Sequence, residues 1–421
     1  VGCSGGYSQT TAAARSALDL GRPDQALLEL NQNLGVDDGS QVPADTTGDV
    51  ALQLLDRGMV LQMLEEYAHS SRDLEIGDRE IQMLDFSSNT GADIVQYLFT
   101  DDTGTYTAPA YEKLCINTMN MVNYLARDDL NGARVEARRL AVMQRYIAQS
   151  ESEAAAFLGA SSYIAGFVFE MSGDAEEAMR WYDEALSRQT YAGLGEPVRR
   201  LTARTGYRTP RIDQLVAEMP ACEGDACDPG PGADVLVLIA HGRIPSKVAK
   251  RVNIGRALVF AAPFMAVGNI TAARNLAAQG LVTYVNYPTL EEATVRWGPA
   301  RATMDGNPLP LEDALSLDVE ARRAYEAVKG QVLAAAIARM ITRVVAGQAA
   351  RAVAGGGTAG AIASIGTQIA MNAVDTPDTR SWGMLPARLT IGRVRVPAGT
   401  HTFRIEPASS LSKKVDTAWW C

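Results

Sequence analysis

Aromatic side chains are scarce in this 421-residue chain, at 6%, and histidine occurs only three times. Few rings and abundant alanine favour closely packed helices. His69, His241 and His401 are scattered, and none belongs to a metal-spacing motif. Basic residues are in deficit, 39 against 49 acidic ones, for a net charge of −10. That balance argues against nucleic acid as a partner, because phosphate binding needs a basic face. No long, strongly apolar run occurs, so no transmembrane helix is expected. The 47% hydrophobic share is ordinary for a globular protein with a large core, and the length suits two or three domains.

Cysteine is also rare: Cys3, Cys115, Cys222, Cys227 and Cys421. Cys3 follows Val1-Gly2 and precedes Ser4-Gly5-Gly6. Small residues directly before a Cys look like a lipobox, where diacylglycerol is attached. Cys3 is then a lipidation site, and Ser4 after it resembles an outer-membrane sorting pattern. The bland alternative is an ordinary thiol near a chain end. Cys222 and Cys227 flank Glu-Gly-Asp-Ala in a Pro/Gly-rich stretch. They could close a small disulfide loop worth roughly 2 kcal/mol, which suits an oxidising periplasm. The alternatives are two free thiols or a metal site, and no second Cys/His pair exists to complete tetrahedral ligation.

The first 218 residues read as helical. Ala12–Leu20 pairs with Pro23–Leu34, Tyr111–Arg127 with Leu130–Ser150, and Ala154–Met171 with Ala175–Arg188. Leu52–His69 reads as one amphipathic helix, and Ile94–Phe99 could extend another. Gly166, Phe169, Ala178, Tyr182 and Ala185 fall at the small and large positions of a tetratricopeptide repeat, where small residues let two helices approach. Gly21, Ala26 and Leu30 make a fainter copy, and Tyr124, Ala133 and Leu140 another. Their spacing is irregular. The alternative is a plain helix bundle.

Residues 219–232 hold Pro220, Pro229 and Pro231 with several glycines and read as a linker. Asp234–Ala240, Arg251–Ala261 and Leu281–Tyr287 read as strands, with Thr294–Thr303 weaker. Ala272–Gln279 reads as a short helix and Leu311–Val353 as a long one. Residues 327–374 contain no acid, and 352–374 no charge. This second stretch suggests a buried helical hairpin, the alternatives being membrane insertion or a self-assembly surface. Leu389–Val396 and His401–Ile405 read as a β-hairpin around Pro397-Ala398-Gly399-Thr400.

Motifs that spell chemistry lack their contexts. Gly355-Gly356-Gly357-Thr358-Ala359-Gly360 matches a dinucleotide fingerprint but follows a helix, not the strand that binding requires. Ser410-Leu411-Ser412-Lys413 spells a serine-hydrolase motif without its companions. His241 stands at a strand end, a plausible catalytic position, but without a partner in the pattern. Trp419-Trp420 close the chain and call for burial against a domain or a partner.

Asp378-Thr379-Arg380-Ser381-Trp382, Leu385-Pro386, Arg393, Gly399 and His401 form a signature, with Gly242–Lys247 as a companion segment. It resembles a family of uncharacterised bacterial outer-membrane lipoproteins with a tetratricopeptide-like N-terminal region. The likeness covers most of the chain. It implies an outer-membrane lipoprotein of the periplasmic face, sometimes encoded near lipoproteins that control peptidoglycan synthases. It implies no catalytic residue, and its motif residues are expected to be structural.

The expected fold is α+β: a helical-repeat domain, then a smaller mixed domain with a helical hairpin and a C-terminal β-hairpin. The expected divisions are a lipidated tether at 1–10, a helical domain at 11–218, a linker at 219–232 and a mixed domain at 233–421. The expected function is a scaffold binding other envelope proteins, with a lipid anchor, no cofactor and no metal. The alternatives are a self-assembling ring or export-complex component, with homo-oligomers, and, further off, an envelope enzyme.

Overall fold

Four left-handed residues punctuate the N-terminal half of the computed structural model, which describes residues 6–83, 106–108, 110–149, 155–220, 232–292, 299–353 and 377–406. After a first turn, α1 (Tyr7–Thr10), helix α2 (Ala12–Asp19) turns into α3 (Pro23–Leu34). In the same way α4 (Asp49–Met63) turns into α5 (Tyr67–Glu80), α6 (Ala110–Ala126) into α7 (Leu130–Gln149), and α8 (Ala155–Met171) into α9 (Ala175–Arg188). Three residues separate the helices of every pair. Within each turn Gly21, Glu65, Asp128 or Gly173 has φ of 69°, 65°, 56° or 79°. The following N–H reaches back five residues: Arg22 to Ala17 O, Glu66 to Leu61 O, Asp129 to Tyr124 O and Asp174 to Phe169 O, at 2.8–2.9 Å. That bond satisfies a carbonyl the ending helix leaves unpaired and reverses the chain.

Counting from the left-handed residue aligns the pairs. Five residues on stand Ala26, Ser70, Ala133 and Ala178, and nine on stand Leu30, Leu74, Ala137 and Tyr182, all fully buried. Seven residues back stand Ala14, Gly58, Met121 and Gly166. A Cβ on Gly58 would meet Leu74 at 2.9 Å, and one on Gly166 would meet the Tyr182 ring at 2.4 Å. The same two positions therefore face each other in both pairs. In the third pair the large residue, Met121, has moved to the first helix and the small one, Ala137, to the second. The stack ends with α10 (Gly195–Thr205) and α11 (Pro210–Ala217).

The remainder is built on β3 (Ala233–His241), β4 (Lys247–Asn253), β5 (Tyr284–Leu290), β6 (Arg301–Met304), β7 (Asn307–Pro308), β8 (Leu311–Ser316), β9 (Arg388–Val396) and β10 (Phe403–Glu406), after a minor pair, β1 (Gln82–Met83) with β2 (Thr107–Ala108). Antiparallel sheets run β3-β9-β8 and β10-β6-β7, and β4-β5 form a separate ribbon. Helices α12 (Ile254–Ala261), α13 (Val267–Ala278) and the 37-residue α14 (Leu317–Val353) complete the fold. The largest core joins the helix pairs to Ile244, Leu315, Trp382, Leu385, Leu389 and Ile391. A second core lies between the β4-β5 ribbon, α12, α13 and α14.

The chain is thus α+β, a helical N-terminal part followed by a smaller β-containing part. Several local expectations change. Leu52–His69 is two helices, because Glu65 turns the chain. Residues 7–10, expected in the tether, form a helical turn whose Tyr7 and Ser8 are buried. Of the strand expected at Arg251–Ala261, only Arg251–Asn253 is extended. Asn253 then caps α12, its side chain accepting from Gly255 N at 2.9 Å, and the apolar spacing Ile254, Ala257, Leu258, Ala261 is helical. Leu311–Ser316 is a strand before the long helix. The expected C-terminal β-hairpin does not form. β9 is central, paired on both edges with β3 and β8, so β10 pairs with β6 instead. Residues 354–376, which include nearly all of the helical hairpin expected at 352–374, lie outside the described residues, as do Ile94–Phe99.

Candidate functional site

Residues 377–387 form an eleven-residue non-regular segment, and every one is buried. Loops normally run over the surface, since buried backbone must find hydrogen-bond partners. Here partners come from both halves of the chain. Asp56 on α4 accepts from Met384 N at 3.0 Å, and Glu112 on α6 accepts from Trp382 N at 3.2 Å. Two helices thus grip the segment at the turn through Gly383 and Met384. Ser8 N donates to Thr379 Oγ1 at 3.1 Å. From the other side Ile244 N donates to Leu385 O at 2.9 Å, and Lys247 N to Ser381 Oγ at 3.2 Å. Asp318 N, opening α14, donates to Ala387 O at 3.2 Å. Gly383 passes so close to the 242–247 loop that a Cβ would lie 2.6 Å from Ser246 Oγ.

The expected signature residues fall mainly in this segment. Asp378 accepts three bonds from Arg380, from its backbone N and from Nε and Nη2, at 2.9–3.0 Å. Arg380 also lies 3.6 Å from Asp49 and sits over the Tyr106 ring. The Trp382 indole is 1% exposed, and its Nε1 has no partner among the described residues. Pro386 is buried. Gly399 and His401 lie apart from it: Gly399 is exposed, and His401 bonds Asp305 Oδ2 at 2.7 Å and Pro397 O at 2.9 Å. The companion segment joins the cluster. Arg243 donates to both Asp19 carboxylate oxygens at 3.0 Å and to Glu291 at 2.9 Å, strapping α2 to the β3–β4 loop.

Burial sets the electrostatics. Asp56 is pushed up to about 7 by desolvation, against the Tyr7 hydroxyl that donates to its Oδ2 at 2.7 Å, Arg15, and the Met384 N–H. Glu112 is also raised by burial, opposed by the Tyr106 hydroxyl, which donates to it at 2.8 Å. Lys247 is lowered by burial, against the pull of Asp378 and Glu112. This constellation is enclosed and its carboxylates are spent on backbone N–H groups.

A second seam lies on the last full helix pair. Arg393 of β9 donates to Tyr182 Oη and Glu170 Oε1, both at 2.9 Å, and Tyr182 donates to Glu170 Oε2 at 2.6 Å. The repeat-packing residues are therefore also part of this junction. Gly166 makes room for Tyr182, Ala178 and Ala185 are fully buried, and Phe169 stacks on Trp181 with ring centroids 6.4 Å apart. Beside this seam a polar cleft of about 360 Å³ opens between Gly159, Arg188, Gln189, Asp313, Ser316 and Glu320.

Cys3, Cys222, Cys227, the glycine motif at 355–360, Ser410 and Trp419-Trp420 lie outside the described residues. Cys115 is a buried free thiol on α6. Among the described residues no three His, Cys, Asp or Glu side chains gather as metal ligands, and no helix is long and apolar enough to cross a membrane. Asp56, Glu112, Tyr7 and Tyr106 were not singled out from sequence. The one available signal was Asp56-Arg57, two charges inside the apolar run Leu52–Leu61.

No family model matches the chain, and no curated protein matches it. Similar solved structures include two crystal structures of MamA. One is 14% identical, covering 44% of this chain and 78% of its own, with a TM-score of 0.29. The other is 12% identical, covering 50% and 86%, with a TM-score of 0.31. The TPR2AB domain–pHSP90 complex of yeast Sti1 is 12% identical, covering 50% and 75%, with a TM-score of 0.20. At those scores, function has to be read from this chain's own residues.

Proposed function

We propose that this chain is a protein-interaction scaffold, tied by a lipid on Cys3 to the periplasmic face of a bacterial outer membrane. One observation carries the scaffold reading. Helix pairs of repeated design already hold a non-regular peptide segment, residues 377–387, by carboxylate-to-backbone bonds from Asp56 and Glu112. That is protein recognition carried out within one chain, and stacked helix pairs extend such a surface. The task is contact, not bond-making. The context of Cys3 and the resemblance of the 378–386 signature support the envelope placement, and a triacylated cysteine supplies enough hydrocarbon for lasting attachment.

The partner-facing surface is sought outside the occupied cleft. Val135 and Val142 stand one heptad apart on α7 and are 45% and 62% exposed, the kind of anchors a partner covers. A photo-crosslinker at either position in intact cells should yield a discrete adduct with an envelope protein. No adduct from either position would reject this face. Fractionation with Cys3→Ala tests the anchor separately, and equal membrane recovery of parent and variant would reject it.

A further inference from the structure

An acidic protein here carries two long acid-free stretches of chain. Residues 235–290 hold six Lys or Arg and no Asp or Glu, and residues 327–353 hold four and none, leaving 29 basic against 49 acidic residues elsewhere. Folding brings these two stretches together. The β4-β5 ribbon, α12, α13 and α14 share a core of their own, with Ile254, Ala261, Leu276, Val285, Leu333 and Ile337 inside it.

That lobe also bares apolar side chains. Val259 is 73% exposed, Phe260 52%, Phe264 51% and Val267 79%. All four fall within the nine residues 259–267, at the corner from α12 through the 3₁₀ turn at Ala262–Phe264 into α13. The other exposed large apolar residues of the helical half, such as Leu20, Val42 and Met171, are dispersed, and single ones are normal. Cations flank the corner. Arg256 shares the outer face of α12 with Val259 and Phe260 by helical spacing, and Arg274 lies seven residues from Val267 on α13. Both are exposed and have no ion pair among the described residues. The Lys329 ammonium sits 5.6 Å from the Phe260 ring centroid and is ion-paired with Glu326 at 2.8 Å, and Arg251 lies 4.7 Å from the ring centroid of Tyr284.

We propose that this lobe docks on an anionic phospholipid bilayer, seating the Val259–Val267 corner among the headgroups with Arg256 and Arg274 on lipid phosphates. Apolar side chains ringed by cations are the chemistry of a surface-bound membrane contact. A nucleic acid has no use for four bared aliphatic and aromatic groups. The contact adds a second attachment to the acyl chain and does not depend on it.

The test uses the full chain with Cys3→Ser, so that loss of the anchor cannot be confused with loss of this surface. Flotation is measured with vesicles of phosphatidylcholine alone and of phosphatidylcholine mixed with phosphatidylglycerol. The parent should float with the mixed vesicles only, and less as salt rises. Val259→Asp with Val267→Asp should cut binding by roughly tenfold or more, and so should Arg256→Gln with Arg274→Gln. Because all four sites are exposed, both variants should melt like the parent by circular dichroism. Should the aspartate variant misfold, the glutamine variant decides. The proposal is overturned by absence of flotation, by equal flotation with both lipids, or by a folded variant that floats like the parent. Retention on heparin without flotation would overturn it in favour of a soluble polyanion. Self-association lost in the aspartate variant, without flotation, would overturn it in favour of a second copy.

Discussion

Asp56→Asn should raise stability much more at pH 8 than at pH 5. The carboxyl is fully buried on α4, with Tyr7, Arg15, Met384 N–H and, farther off, Glu112 facing it. Desolvation raises it from 3.8 to about 7 in the folded protein. A raised folded value means that folding favours the protonated form. Stability from this group is complete below its unfolded value near 3.8 and is lost as pH rises through 7. A shift of about three units corresponds to about 4 kcal/mol between those limits. Asparagine has no charge to desolvate and avoids that loss. It keeps an oxygen for Met384 N–H, but it replaces the oxygen that accepts from Tyr7. Reversing that bond costs about 1 kcal/mol. At pH 5 the unfolded carboxyl is already ionised and about 2 kcal/mol of that stability is gone, so the variant should lie within about 1 kcal/mol of the parent at pH 5 and be about 3 kcal/mol more stable at pH 8.

Urea unfolding followed by fluorescence reads the difference directly, because Trp181 and Trp382 are both buried. Subtracting parent from variant at each pH removes the titration of every other group that the substitution leaves alone. The difference should move in the variant's favour by about 2–3 kcal/mol between pH 5 and pH 8. A constant difference across that range would refute the reasoning, since it would mean that Asp56 is ionised in the folded state throughout.

Three further outcomes follow from the packing. Trp382→Ala should cost about 3–5 kcal/mol in urea unfolding, because the buried indole fills the junction between both halves; a loss under about 1 kcal/mol would show that the segment is not anchored there. Gly166→Val should cost about 1–3 kcal/mol by the same assay, since even a Cβ would lie 2.4 Å from the Tyr182 ring. In a chain whose other cysteines are serine, Cys115 should resist a thiol reagent until unfolding, because burial raises its pKa and blocks access; immediate labelling of the native protein would contradict its placement on α6.

The helical half was legible where packing followed local pattern. Gly173 with Gly166 and Tyr182 marked one pair plainly, because glycine permits the turn and small faces large. The pair at Glu65 was missed because a non-glycine residue takes the left-handed position, and Leu54, Leu55, Leu61 and Leu64 continue the apolar pattern up to the break. Counting outward from the left-handed residue recovers the frame, but φ is a property of the fold, not of the spelling. The β-rich half was harder. A Pro-Ala-Gly-Thr turn between two apolar runs satisfies every local rule for a hairpin, yet β9 is claimed on both edges by β3 and β8. Distant strands won over the adjacent one. The local clue that was available, Asp305-Gly306 with φ of 51° and 81°, marks the tight turn between β6 and β7 instead.

The buried segment was legible only as a signature, not as a role. Acids at 56 and 112 read individually as solvated helix residues, and their partners lie 328 and 270 positions away. Once those partners are known, the two seams explain each other. A stack of helix pairs exposes an apolar inner face unless something covers it. Residues 377–387 cover it at α1, α4 and α6. Six residues beyond them on the same chain, Arg393 reaches Glu170 and Tyr182 on the α8–α9 pair. One continuous stretch, from Asp378 to Arg393, therefore fastens both ends of the repeat stack to the sheet. The buried pair between Arg393 and Glu170 fixes its register, since a slip of one residue would leave both unpaired in the interior. A rigid stack closed by its own C-terminal segment keeps its outer helix faces in one arrangement, which is what a scaffold has to present.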